Sequence, residues 1–435
     1  MLVRKMVAAL GVRVAVMGSG FGISVLLARI LGAEEFGHYV FALSITMLLA
    51  VPVQAGLPVL LTKNLPRFEV NNDWSRVRGI LLYVLSSTVT FSAVAFLGYW
   101  LIYLWYTNNS DGYAGENVVH LAILLVPFIA LSTSLGAAIR NLGQLVTGQV
   151  VETGLRQIVL LVVILVAAFG LSISGLTATS AMAMHIIAAI GTAFVGATFL
   201  VVAHRIGPRG TKPKVEWRNW TISLFPLSLI AGLQIILSKT DVVMLRGIIG
   251  AEEVAFYFIA KQLANLVFLS FQAVELVSGP TVSRALQRRD HETLQHTYSR
   301  SASFVLVSTL PLSFCLLQFG ESILAYVYGS EMVGAYSAVA ILAIGYVVQA
   351  MFGSPELALK ITGHHRVVLK TMAIAAVVNI ALNAWFISLL GVAGAAIASV
   401  LVTITMKFSL CVVVWFRLNI VPFAFSEYFL RRDSA

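Results

Sequence analysis

Apolar runs about as long as a bilayer crossing follow one another down this chain, with clusters of Lys and Arg between them, and few architectures accept such a pattern. A hydrocarbon core about 30 Å thick takes about 20 apolar residues per helical crossing. A Lys or Arg at a helix centre costs roughly 2.5–3.5 kcal/mol, so cations collect between the runs. Dividing the 435 residues at those clusters predicts twelve crossings, at roughly 6–31, 37–62, 79–105, 118–142, 154–171, 176–202, 220–247, 255–278, 301–318, 335–359, 368–390 and 394–416. With 59% hydrophobic and 11% charged residues, a soluble domain is excluded and the fold class is all-α integral membrane. The opening "MLVRKMVAALGVRVAVMGSGFGISVLLARI" is too long for a secretory signal core and has no small-residue cleavage site, so it reads as a retained first helix.

The basic residues fall in alternate loops. One set runs from Arg4 and Lys5 through Lys63, Arg67, Arg76 and Arg78, Arg140 and Arg156, Arg205 to Arg218, and Arg284 to Arg300, to Lys360, Arg366 and Lys370, and then Arg417 and Arg432. The other set holds acids: Glu34, Glu35, Asp111, Glu116, Glu252, Glu253, Glu321 and Glu331. Basic loops stay on the cytoplasmic side, so the expected placement is multi-pass in the cytoplasmic (inner) membrane with both termini cytoplasmic. The net charge of +10 then lies beside anionic headgroups and does not signal nucleic acid. Cys315 and Cys411 sit in apolar runs without a loop partner, which argues against a disulfide framework.

Gly32-Ala33-Glu34-Glu35 returns as Gly250-Ala251-Glu252-Glu253, and Tyr39 as Tyr257. Pro58 with Pro280, Arg67 with Arg289, Arg78 with Arg300, Thr147-Gly148 with Thr362-Gly363 and Gly175 with Gly394 keep an offset of about 220 residues, the mark of a unit used twice. Six crossings per unit give both halves the same topology, as in transporters with parallel repeats. The expected organisation is an N-terminal six-helix bundle over 1–202, a basic cytoplasmic linker over 203–219, a C-terminal six-helix bundle over 220–416 and a cytoplasmic tail over 417–435.

Polar residues inside the runs are costly in lipid and are expected to face an interior. At about 100° per residue, Lys261, Asn265, Gln272 and Glu275 share an arc of about 80° on the eighth crossing. Ser223, Gln234, Ser238 and Asp241 share a face of the seventh, and Arg13, Met17, Gly20 and Ser24 a face of the first. Small and polar faces also mediate plain helix packing. Lys239 lies about 140° from Gln234, which leaves both an interior position and snorkelling open. Lys407, deep in the last crossing, is expected to face protein, and Asn379 and Asn383 to make interhelical hydrogen bonds. Glu34, Glu35, Glu252 and Glu253 read as helix-start residues.

Arg29-Ile30-Leu31-Gly32 followed by Gly37 and Tyr39, together with "GVAGAAIASV" from Gly391 to Val400, resembles the polysaccharide-transport (Wzx-type) flippases of the multidrug/oligosaccharidyl-lipid/polysaccharide exporter superfamily, along the whole chain. The resemblance implies two bundles around a central cavity open to one side at a time, lined by crossings 1, 2, 7 and 8. It implies a flippase that moves a lipid-linked (polyprenyl-pyrophosphate) oligosaccharide repeat unit across the membrane by alternating access, for lipopolysaccharide or exopolysaccharide synthesis. On that reading Arg13, Lys239 and Lys261 compensate the pyrophosphate, while Gln234, Ser238, Asn265 and Gln272 bind sugar hydroxyls. Asp241 and Glu275 are the candidates to bind a proton or sodium ion for coupling. Membrane lipids, a polysaccharide polymerase and chain-length machinery are the other expected partners. A cation-coupled multidrug exporter and a peptidoglycan lipid-precursor flippase of the same superfamily are the alternatives, and a membrane scaffold is the structural one.

No chemistry of another kind is written in the chain. Gly18-Ser19-Gly20-Phe21-Gly22 lacks the strand and third-glycine spacing of a dinucleotide loop. His291, His296, His364 and His365 lie in basic loops, without the pattern of a metal site. With neither an ATP-binding loop nor a nucleophile–base set, the reading is a non-enzyme without cofactor or metal.

Overall fold

The computed structural model describes residues 2–51, 56–107, 116–170, 175–203, 211–288, 290–418 and 420–424. The side chains of Gln272 and Glu275, the acidic loop around Asp111 and the tail from 425 onward lie outside the described residues. Helix makes up 91% of the structure, with no strand among the described residues. The reason is physical: in hydrocarbon every backbone N–H and C=O must be satisfied within the segment, and a helix does so alone.

In chain order the helices are α1 (Leu2–Leu49), α2 (Leu57–Val70), α3 (Trp74–Thr107), α4 (Glu116–Ile123), α5 (Leu125–Asn141) and α6 (Leu145–Gln149). A π-helical turn, Val150–Gly154, joins α6 without a break to α7 (Leu155–Leu165). Then come α8 (Ala178–Ala203), α9 (Trp217–Ile248), α10 (Ala251–Arg288), α11 (His291–Ile323), α12 (Tyr336–Met351), α13 (Pro355–Ile361) and α14 (His365–Leu418).

Among the described residues nine helices are long and apolar enough to cross a membrane, against twelve expected crossings. Two of the nine are compound. α1 has 48 residues and α14 has 54, about 72 and 81 Å at 1.5 Å per residue, far beyond one hydrocarbon core. Each is broken at a glycine whose backbone leaves the helix: Gly32 at φ 76° and Gly391 at φ 59°. In α14 the break is a reversal of the chain. A Cβ added at Gly394 would lie 2.0 Å from the Phe386 carbonyl oxygen, a group that a continuous helix would place about 12 Å away. α10 covers the expected eighth crossing and is not among the nine.

The chain divides into two compact units, Met1–Lys239 and Thr240–Ala435. The division falls inside α9 because the first part of that helix packs with the first unit: Trp220 and Leu224 join Leu57, Leu61, Ile80 and Tyr83 in one buried cluster. Tyr39 of the first unit and Tyr257 of the second, matched by the repeat, are both buried and each bonds a late helix of its own unit, Tyr39 to His185 of α8 and Tyr257 to Ser399 of α14. The glycine matching Gly363 in conformation is Gly143, not Gly148. Gly143 (φ 89°) and Gly363 (φ 80°) both leave a helix end, whereas Gly148 lies within a helix pressed to the Arg140 backbone. A shared Thr-Gly pair misaligned two positions that have different jobs.

Of the expected linker, residues 211–216 run along the start of α3. The Lys214 N–H donates to Ser75 O (2.9 Å) and Arg78 Nη1 to Thr211 O (2.7 Å). Arg76 bridges Glu216 (2.8 Å) and Asp73 (3.1 Å). Gly79 makes the approach possible, since any Cβ there would meet Lys214 O at 1.9 Å. The Asn219 amide, and then the Arg76 guanidinium, hold the Glu216 carboxyl below the usual carboxylate range. A depressed carboxylate stabilises above its unfolded pKa, and that contribution is lost as pH falls through the folded value. Hydrogen-exchange protection of 211–216, corrected for intrinsic rates, is therefore expected to be flat from about pH 5 to 8 and to fall below about pH 4. Glu216→Gln should remove that acid transition, and a transition left intact in the variant would discharge Glu216 from the role.

Candidate functional site

The polar stripe of α10 meets the end of α9 in the second unit. Tyr257, Lys261 and Asn265 stand at successive four-residue steps of α10 and so share a face. Opposite Lys261 is Asp241 of α9, which is wholly buried. Asp241 Oδ2 accepts from Lys261 Nζ at 2.7 Å, from Tyr257 OH at 2.6 Å and from Ser399 Oγ at 3.2 Å. Its Oδ1 takes the Val242 N–H at 2.8 Å. The Tyr257 hydroxyl is also 2.9 Å from Ser399 Oγ, and the Lys261 ammonium lies 5.1 Å from the Tyr257 ring centroid. One turn further, Asn265 Oδ1 accepts from Tyr346 OH of α12 at 3.2 Å.

Desolvating a carboxylate is tolerable only with a cation and with its lone pairs satisfied, and Asp241 has both. The two partners are unequal in exposure. The Lys261 side chain is 23% exposed and that of Asp241 is 0%. The carboxylate is the enclosed member of the pair and the ammonium the more accessible one. A lysine so held can exchange one oxyanion for another, because its compact ammonium has three donors and no fixed fork.

The other expected residues are distributed differently. Arg13 is exposed on α1, and its charge acts on Glu152. Gln234 and Ser238 are exposed on α9, with Ser238 Oγ bonding the Ile235 carbonyl of its own helix, and Lys239 is half-buried. The side chains of Gln272 and Glu275 lie outside the described residues. Lys407 faces protein as expected, buried with its ammonium 4.4 Å from the Phe271 ring centroid. Asn379 and Asn383 depart from expectation: Asn383 Nδ2 donates to Asn379 O within α14 at 2.9 Å, and both side-chain oxygens are buried without a partner. Their shared face brings the amide to its own backbone rather than to a neighbouring helix. Glu35 accepts from the Ala178 N–H at 2.6 Å, placing a negative charge at the N-terminus of α8, a structural use.

Sequence reasoning missed Tyr257, Ser399 and Tyr346, although the position of Tyr257 four residues before Lys261 was a usable signal. It also misplaced Arg156. The residue does not lie in a basic loop but within the apolar span Leu145–Ala168, about 16 Å along the helix from Leu145. Among the described residues no group of His, Cys, Asp and Glu could hold a metal ion.

A helical, multi-pass chain with an ion pair buried in its spans has the build of a membrane transporter. The chain belongs to the polysaccharide biosynthesis protein family, whose sequence model matches residues 2–286, and within it to the Wzx-type flippases of the exporter superfamily. The MatE family model matches residues 226–385. The probable low-salt glycan biosynthesis flippase Agl15 of Haloferax volcanii is 22% identical over 376 residues, 86% of this chain and 75% of that protein. Two solved structures share the fold. An inward-facing multidrug resistance MATE family transporter of the MOP superfamily gives a TM-score of 0.75 at 14% identity, over 95% of this chain and 98% of that one. The lipid II flippase MurJ in an inward closed conformation gives 0.74 at 13% identity, over 95% and 87%.

Proposed function

We propose that the protein flips a lipid-linked oligosaccharide, its sugar headgroup passing between two parallel six-helix bundles of a twelve-crossing chain in the cytoplasmic membrane, with both termini on the cytoplasmic side. The lengths and glycine breaks of α1 and α14 support the higher crossing count. The observation that carries the substrate reading is the Lys261–Asp241 pair, a partly exposed cation backed by a fully buried carboxylate. A polyprenyl-linked sugar carries a pyrophosphate, which needs a cation where water is scarce. As its oxygens take the ammonium, Asp241 gives up its partner and is left a buried carboxylate, for which a proton or sodium ion is the candidate replacement. Substrate arrival and ion uptake are then one exchange. Asn265 and Tyr346, one turn on, supply amide and hydroxyl groups for sugar. A drug exporter built for organic cations would leave its carboxylate open, whereas here a lysine occupies it.

The test is transport by the purified protein in sealed liposomes. Protein-dependent movement of a fluorescent polyprenyl-pyrophosphate oligosaccharide between leaflets, driven by an imposed proton or sodium gradient, is the expected result. Export of a cationic dye without movement of that lipid would replace this reading with the drug exporter.

A further inference from the structure

We propose that the first unit holds a second, separate oxyanion site built around Arg156, which takes a phosphoryl group; the identity of that group rests on the flippase reading above. Arg156 lies inside the apolar span Leu145–Ala168, and its Nη1 is buried with no hydrogen-bond partner among the described residues. Arg156 is coupled electrostatically to Tyr39 and His185, themselves joined by a 2.8 Å hydrogen bond between Tyr39 OH and His185 Nδ1. Both are buried.

No carboxylate of the described residues answers this cation. Glu152, one turn earlier, is taken by Arg140 in an ion pair. A guanidinium does not shed its proton to escape burial, and an oxyanion from outside the protein can answer it. The contrast with the second unit is chemical: there Asp241 neutralises Lys261, and here the charge is left open.

The Tyr39–His185 pair offers a neutral donor in either tautomer. If the phenol donates to Nδ1, the ring proton sits on Nε2 and is available; if Nδ1–H donates, the phenolic O–H is. A planar guanidinium fork beside a neutral donor suits a tetrahedral oxyanion, to which arginine binds through two parallel bonds. The phosphoryl group arrives either on a lipid-linked substrate or as a free anion.

The experiment measures thermal stabilisation of the purified full-length protein in nanodiscs by farnesyl pyrophosphate, inorganic pyrophosphate and farnesol. Farnesyl pyrophosphate should stabilise wild type, and farnesol should not. Arg156→Gln should weaken the pyrophosphate effect at least tenfold, and Arg156→Lys by less, with Lys261→Ala run alongside so that the two sites separate. Equal potency of inorganic and farnesyl pyrophosphate would uphold the oxyanion site and assign it to a free anion. If Arg156→Gln does not fold, Tyr39→Phe and Arg156→Lys carry the comparison. Unchanged affinity in the variants while wild type still flips lipid-linked sugar would overturn the Arg156 site and leave the flippase reading standing. Absence of any pyrophosphate effect on wild type would overturn both.

Discussion

Lys261→Ala is expected to abolish export of lipid-linked sugar, and Lys261→Arg to retain part of it. Loss alone would be ambiguous, because the substitution also strands Asp241. Removing one partner of a buried ion pair costs roughly 3–5 kcal/mol, enough to lower abundance in the membrane. The double variant Lys261→Ala/Asp241→Ala separates the two effects. It removes the stranded carboxylate and should return abundance towards wild type while export stays absent. Abundance is read by quantitative blotting of membranes, and export by surface polysaccharide in cells depending on the protein. Export by the double variant at wild-type level would mean that Lys261 serves only to neutralise Asp241, and the pyrophosphate role would fall.

Gly394→Ala should deplete the folded protein. The added Cβ would stand 2.0 Å from the Phe386 carbonyl oxygen and 2.4 Å from its carbon, both of them backbone atoms that no rotamer change can move aside. Overpacking of this kind costs about 1–3 kcal/mol or more, and here it falls on the reversal that lets α14 turn back on itself. Detergent-extracted variant should melt several degrees below wild type. Gly98→Ala is the matched control, since nothing lies within 4 Å of its added carbon. Equal melting of the two would show that the α14 turn is looser than drawn.

How far this could be read from the chain depends on which physical signal each residue leaves. Bilayer length writes itself as apolar runs, so the helical membrane fold was legible, and the tetrapeptide shared by Gly32 and Gly250 is the signal on which the expectation of a doubled unit rests. The same method concealed Arg156. A charge marks a loop only when it lies outside a helix, and Arg156 stands inside a helical span. Lys261 and Asp241 were both singled out by their depth, yet a helical wheel gives a face and not a partner. Assigned to different tasks, they turn out to be 2.7 Å apart. Tyr257 was seen only as an echo of Tyr39, because a hydroxyl's hydrogen bonds depend on which neighbouring helix it meets. The Gly148–Gly363 match failed for a related reason: letters agreed where backbone angles did not.

The Lys261–Asp241 pair sums to zero charge, and that has an electrical meaning. Each elementary charge carried through a membrane potential of 100 mV exchanges about 2.3 kcal/mol with the field. On the flippase reading proposed above, the empty pair adds no net charge, and voltage finds nothing at this site to act on. A bound pyrophosphate would add negative charge, offset in part by the cation that Asp241 takes up in exchange. An interior-negative potential would then favour delivery over retrieval to the extent that the loaded site keeps net negative charge.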